Sequence, residues 1–192
     1  MMRFCSAIFW ILTVVLLLSG CDKGLGPSAS PAPPIPTGYM SGLIRYQHWP
    51  AIDSLHDLRL VAFRVFPPGN IVSEVLQGRA SVYPPLGDTA LVPFYVDTLH
   101  YHFSLPAARY EYVVVAQQFG SNAFTDWRAV GQFDLDSNFT VPSPVTIVAD
   151  STIEGININV DFSNPPPPPV EARNALLHLE GESNKDAVLK PH

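Results

Sequence analysis

Residues 155–162 read Gly155-Ile156-Asn157-Ile158-Asn159-Val160-Asp161-Phe162, apolar at every even position and polar at every odd one from 156 onward. A period of two places one set of side chains on each face of an extended strand, so this segment is a half-buried β-strand. Leu99, Tyr101, Phe103 and Leu105 repeat the pattern against Thr98, His100, His102 and Ser104. Two further runs, Asp57 to Phe66 and Tyr110 to Phe119, are apolar in both registers. That is expected of central strands covered on two faces.

Arg128 to Asp134, Val145 to Val148 and an opening strand over Ser41 to Tyr46 complete a set of about seven. Turn signals separate them: Pro67-Pro68-Gly69-Asn70, Pro84-Pro85, Gly120-Ser121-Asn122 and Pro142-Ser143-Pro144. Short strands punctuated in this way predict an all-β fold, a Greek-key β-sandwich. One stretch breaks the pattern. Ile71, Val72, Val75 and Leu76 have helical spacing, which predicts a short helix near residues 71–77.

The chain has 192 residues, 47% of them hydrophobic and 15% charged, with 20 prolines and two cysteines. Acidic residues outnumber basic ones 17 to 11, for a net charge of -6 and a pI near 5.4. A nucleic-acid binder needs a basic stripe to neutralise phosphates, and this sequence has none. The length allows one domain plus appendages.

Those appendages lie at both ends. Arg3 precedes an almost unbroken apolar run from Ala7 to Leu18, followed by Ser19, Gly20 and Cys21. The run falls short of the roughly 20 residues that span a bilayer. Leu18-Ser19-Gly20-Cys21 resembles the lipobox of bacterial lipoproteins. The resemblance implies a signal peptide over 1–20, cleaved before Cys21, with that cysteine lipidated through its thiol and new amine. At about 0.8 kcal/mol per buried methylene, two or three acyl chains such as palmitate suffice for stable attachment. A lipid-anchored protein of the bacterial cell envelope, exposed outside the cytoplasm, is therefore expected. Asp22 resembles the inner-membrane retention signal of enterobacterial lipoproteins, a rule that does not hold in all bacteria, so inner and outer membrane both stay open.

With Cys5 lost and Cys21 acylated, the mature chain has no disulfide, thiolate metal site or cysteine nucleophile. Losing Arg3 leaves ten basic against 17 acidic residues, a net charge of -7. Residues 21–38 then form a linker, with prolines 27, 31, 33, 34 and 36 among Gly, Ser and Ala. The domain is expected over 39–164. Pro165 to Pro169 read as a stiff spacer, and the polar remainder to His192 as a tail. Within that tail Val170 to Glu180 has weak helical character that Gly181 ends. A helix so short is marginal in water, which favours fraying over docking through Leu176, Leu177 and Leu179.

The core segments Leu105-Pro106-Ala107-Ala108-Arg109-Tyr110, Ser41-Gly42-Leu43-Ile44, Leu60-Val61-Ala62-Phe63 and Gly155 to Phe162 together resemble transthyretin-like domains. These are also called prealbumin-like or carboxypeptidase regulatory-like domains, and their architecture is close to immunoglobulin-like sandwiches. The resemblance implies a non-catalytic module that contacts carbohydrate, adheres or spaces. The family carries glycine where this chain has Ala108. If that turn has positive φ, Ala108 is strained by about 1 kcal/mol and Ala108→Gly should stabilise the fold.

Three sets of side chains are candidates for a site. His100 and His102 leave the same strand face about 7 Å apart, a spacing that chelates zinc or copper given a third ligand. His48, His56 and Asp97 are the groups available for that place. Asp134, Asp136, Ser137 and Asn138 present oxygens for calcium, but the run lacks the EF-hand's glycine and terminal glutamate, and Asx turns at a strand end account for it better. Tyr46, at a strand end, and Trp49 and Trp127, with Phe124 nearby, are aromatics of the kind that stack on sugar rings from sandwich loops, although core or loop-anchoring packing is the commoner fate of a tryptophan. There is no Gly-x-Ser-x-Gly elbow and no phosphate-binding glycine loop, and Asn138-Phe139-Thr140 is a sequon that means little in a bacterium. No enzymatic activity and no cofactor are expected. The first reading is a tethered binding or assembly module with an envelope protein as partner. The alternatives are a carbohydrate-binding accessory using Trp49, Trp127 and Tyr46, and a metal-handling lipoprotein using His100 and His102.

Overall fold

The alternating segments pair into two facing sheets, as their periodicity requires. A computed structural model describes residues 34–85, 88, 92–136 and 141–169. The signal segment, Cys21, most of the linker, Ser137 to Thr140 and the tail after Pro169 lie outside the described residues.

In the first sheet, β1 (Thr37–Gln47) runs antiparallel to β4 (Thr98–Pro106), with Thr37 opposite Pro106 and Arg45 opposite Thr98. Its other side pairs in parallel with β9 (Thr152–Ile153) and then β10 (Ile158–Asp161). The second sheet is antiparallel, in the order β3 (Ala80–Tyr83), β2 (Asp57–Phe63), β6 (Tyr112–Gln118), β7 (Trp127–Gln132). A small ribbon joins β5 (Arg109–Tyr110) to β8 (Val145–Thr146).

The all-β sandwich is therefore present, with ten strands among the described residues where about seven were read. The three additions have separate causes. β3 is a four-residue edge strand that ends against Pro84, too short to show alternation. β5 is split from β6 at Glu111, whose amide bonds to the Phe63 carbonyl outside the ladder. β9 is split from β10 by a kink at Gly155 and Ile156. The opening strand begins at Thr37, two residues inside the expected linker, because Gly38 to Met40 pair with Phe103 to Leu105.

The kink has a specific seat. Gly155 has φ +78°, a conformation that costs glycine little. The Ile156 carbonyl accepts the Tyr101 hydroxyl at 2.6 Å, and Asn157 Oδ1 takes over the ladder by accepting the Leu43 amide at 2.9 Å. Gly42 lies directly beneath, where a Cβ would stand 2.1 Å from the Ile156 oxygen.

Between the sheets, Met40, Ile44, Leu60, Phe103, Val113, Val115, Ile158 and Val160 form the main core, each at most 3% exposed. Burial of each large apolar side chain contributes about 1.5–3 kcal/mol. A second cluster lies on the outer face of the β3-β2-β6-β7 sheet, where Val61, Phe63, Tyr112, Val114 and Ala116 are buried. This explains why β2 and β6 are apolar in both registers.

The cover over that outer face includes Phe66, Trp127 and a helix, α1 (Ile71–Leu76), close to the expected 71–77. Asn70 caps α1 by accepting from the amides of Val72 and Ser73. Glu74 is buried and receives both Nε and Nη2 of Arg79, at 2.6 and 2.9 Å, together with the Gly69 amide. Only Ile71 and Val75 reach the cluster, and Leu76 is exposed. Pro165 to Pro169, read as a spacer, border this same face, and Pro166 is buried.

The expectation for Ala108 is overturned. The non-glycine residues with positive φ among the described ones are His48, Tyr95 and Asp150. Ala108 therefore carries no left-handed strain; it packs against the main core, and its carbonyl accepts the Ile147 amide at 2.8 Å. Two outcomes follow for chemical denaturation. Ala108→Gly should lose about 0.5 kcal/mol through the freer unfolded chain, the opposite sign to relief of strain. Gly42→Ala should lose about 2 kcal/mol or more, because the backbone of Ile156 must move to admit the methyl.

Candidate functional site

The three sequence-level candidates occupy different parts of the sandwich and do not converge. Tyr46 is buried at the end of β1, and Trp49 is half-buried in the loop that follows. The Trp49 ring lies 4.8 Å from Tyr46, 4.7 Å from Phe162 and 5.3 Å from Tyr95, centroid to centroid. Its indole Nε1 donates to the Val96 carbonyl at 3.0 Å. These contacts make Trp49 an anchor for the loops at this end of the sandwich. Burial also pushes the Tyr46 phenol far above its ordinary range. Buried Tyr46 presents no free face for sugar stacking, while Trp49 packs on its three aromatic neighbours and stays half-buried.

Beside this aromatic group, His48 Nδ1 lies 2.9 Å from Asp161 Oδ1, and the Ser163 hydroxyl donates to the same oxygen at 2.7 Å. The cluster joins the end of β1 to the end of β10, with His48 held at φ 54°. Ser163 and then His48 stabilise the carboxylate and hold Asp161 down at about 2, from an ordinary 3.8.

His100 and His102 are both exposed on β4, as their spacing predicted. His102 stacks on Tyr39 of β1, 4.7 Å away. Their cross-strand partners are Leu43 and Ser41, which supply no strong third ligand. Among the described residues no three His, Cys, Asp or Glu side chains group as a metal site. His48, one of the groups available for the third place, is paired with Asp161 instead.

Asp134 and Asp136 form the Asx turn. The Asp136 amide bonds to Asp134 Oδ1 at 3.2 Å, while Ser143 Oγ accepts the Leu135 amide and lies 3.4 Å from Asp134 Oδ1. Burial, followed by the neighbouring Asp136, raises the Asp134 carboxyl above its usual range. Ser137 and Asn138, the other residues of the calcium reading, lie outside the described residues.

Trp127 belongs to a different surface. Its indole Nε1 donates to the Ala123 carbonyl at 2.8 Å, which turns the half-buried ring along the outer face of the β3-β2-β6-β7 sheet. There it lines a groove of about 430 Å³ with Phe63, Ile71, Tyr112, Val114 and the prolines that follow β10. The groove falls within the usual range for ligand pockets, about 300–1,000 Å³. Sequence reading singled out Trp127 and the proline run separately. The signal that connects them is the double-register apolarity of β2 and β6, which requires a second covering layer.

No family model matches the chain, and no curated protein matches it. Among solved structures, a leucine-rich repeat protein from Bacteroides thetaiotaomicron is similar over 67% of this chain, at 11% sequence identity and a TM-score of 0.33. The match spans 14% of that protein's chain, and at this score it supports neither fold nor function. Among the described residues, no helix is long and apolar enough to cross a membrane.

The Asp161 cluster yields a pH dependence of defined sign. A carboxyl with a depressed pKa contributes stability that is complete above its unfolded value, 3.8, and is lost as pH falls through about 2. Thermal melts across that window should show a steeper acid loss for wild type than for Asp161→Asn, which no longer titrates there.

Proposed function

We propose that the protein is a lipid-anchored, non-enzymatic binding or assembly module, held on the outside of the cytoplasmic compartment in a bacterial envelope. The observation that carries this reading is Leu18-Ser19-Gly20-Cys21 at the end of the apolar run from Ala7 to Leu18. The arrangement downstream supports it. A proline-rich segment through Pro36 leads straight into β1 at Thr37, which suits a domain held clear of a surface.

A binding role agrees with the way the domain uses its charged groups. Glu74 is spent on Arg79, Asp57 on Arg59, Glu111 on Arg109 and Asp161 on His48. These pairs fasten a helix end, strands and loops. The carbohydrate and metal readings have less support, since Tyr46 is buried, Trp49 is tied into an aromatic group, and His100 and His102 gather no third ligand among the described residues.

Growth with labelled palmitate in the native host tests the anchor. Wild type should incorporate label and sediment with membranes, whereas Cys21→Ala should lose essentially all label and fail to mature. An unlabelled wild-type chain would overturn the reading.

A further inference from the structure

The groove on the outer face of the β3-β2-β6-β7 sheet holds this chain's own prolines. Pro165, Pro166, Pro168 and Pro169 form one side, while Phe63, Tyr112 and Trp127 supply aromatic surface. Proline rings pack well on aromatic faces because the ring is rigid, and a proline-rich strand gives up little conformational entropy when it docks. The surface therefore already shows which chemistry it accepts.

The resident segment fits it incompletely. About 430 Å³ of the groove stays unfilled. Tyr112, which lines it, is only 1% exposed, yet its hydroxyl has no hydrogen-bond partner among the described residues. A buried donor left unsatisfied is costly. In recognition of polyproline, the groups that orient the ligand are aromatic-side hydroxyl or indole donors, because proline carbonyls accept but the ring nitrogen cannot donate. Trp127 has committed its indole N–H to Ala123, so Tyr112 is the lining aromatic whose donor remains available.

We propose that this face is a polyproline-reading groove that takes a proline-rich peptide from another polypeptide. Pro165 to Pro169 act as a resident, exchangeable occupant. The incoming peptide displaces them, packs on Trp127 and Phe63, and accepts a hydrogen bond from the Tyr112 hydroxyl. The resident supplies selectivity by competition, since a tethered segment presents itself at an effective concentration of about millimolar. A weak or poorly matched peptide is thereby excluded.

The test uses the full chain in detergent micelles and a fluorescently labelled decaproline probe, read by anisotropy, with a glycine-serine decapeptide as control. Decaproline should bind saturably and the control should not. The double variant Pro166→Ser with Pro168→Ser should bind about tenfold tighter, because the tethered competitor is weakened. Tyr112→Phe keeps the ring and its packing and removes an unpaired buried hydroxyl, so it should melt at or above the wild-type temperature while binding about threefold or more weakly. Absence of saturable decaproline binding in both wild type and the double variant would overturn the proposal, as would equal binding of the control or unchanged affinity in a folded Tyr112→Phe. The same titration on unlipidated Cys21→Ala should give the same affinities, so the outcome is independent of whether the anchor exists.

Discussion

The arrangement of the domain depends on one strand being apolar on both sides. β6 sends Val113 and Val115 into the main core and Tyr112, Val114 and Ala116 to the opposite face. Neither set tolerates water, so the sheet needs two covers. The β1-β4-β10 sheet provides the inner one. The outer one is assembled from small parts, namely α1, Phe66, Trp127 and the prolines after β10. Such a patchwork closes less completely than a sheet does, and this is why the groove lies on the outer face rather than between the sheets.

Small polar devices hold the patchwork in place. Asn70 starts α1, and the Glu74–Arg79 pair ties the helix to the chain that leads into β3. Asn70 also donates from its side-chain amide to the Phe124 carbonyl at 2.7 Å, linking the helix start to the loop that positions Trp127. The geometry of the groove is thus set by residues outside its apolar lining.

The sandwich was legible in the sequence because its strands obey a period of two over long stretches, most clearly at 156–162 and 98–105. Where elements are short the signal fails, and β3, β5 and β9 have four residues or fewer. The outcome at Ala108 shows a further limit, since a turn borrowed from a resemblance need not keep its backbone conformation. Whether Tyr46 and Trp49 stack on a ligand or on the protein was open in the sequence, because the order of residues does not reveal that Phe162, more than a hundred positions away, packs against both. The groove was legible only in fragments. Trp127 and the proline run are conspicuous individually, but their meeting on one face is a consequence of how the chain exits β10.

The kink at Gly155 and Ile156 also bears on how the domain meets its own copies. A strand added along the β9–β10 side would find its ladder interrupted, with the Ile156 carbonyl already taken by Tyr101. The opposite side of that sheet is β4, long and regular, and among the described residues no strand pairs with its far side. Association through this sheet is thereby restricted to one direction. An edge that pairs with the same edge of a second molecule does so about a two-fold axis and closes on itself. The broken strand thus acts as a terminator on its side of the sheet: β9 offers two residues of ladder and β10 four, too little to template the open, head-to-tail growth from which fibres are built.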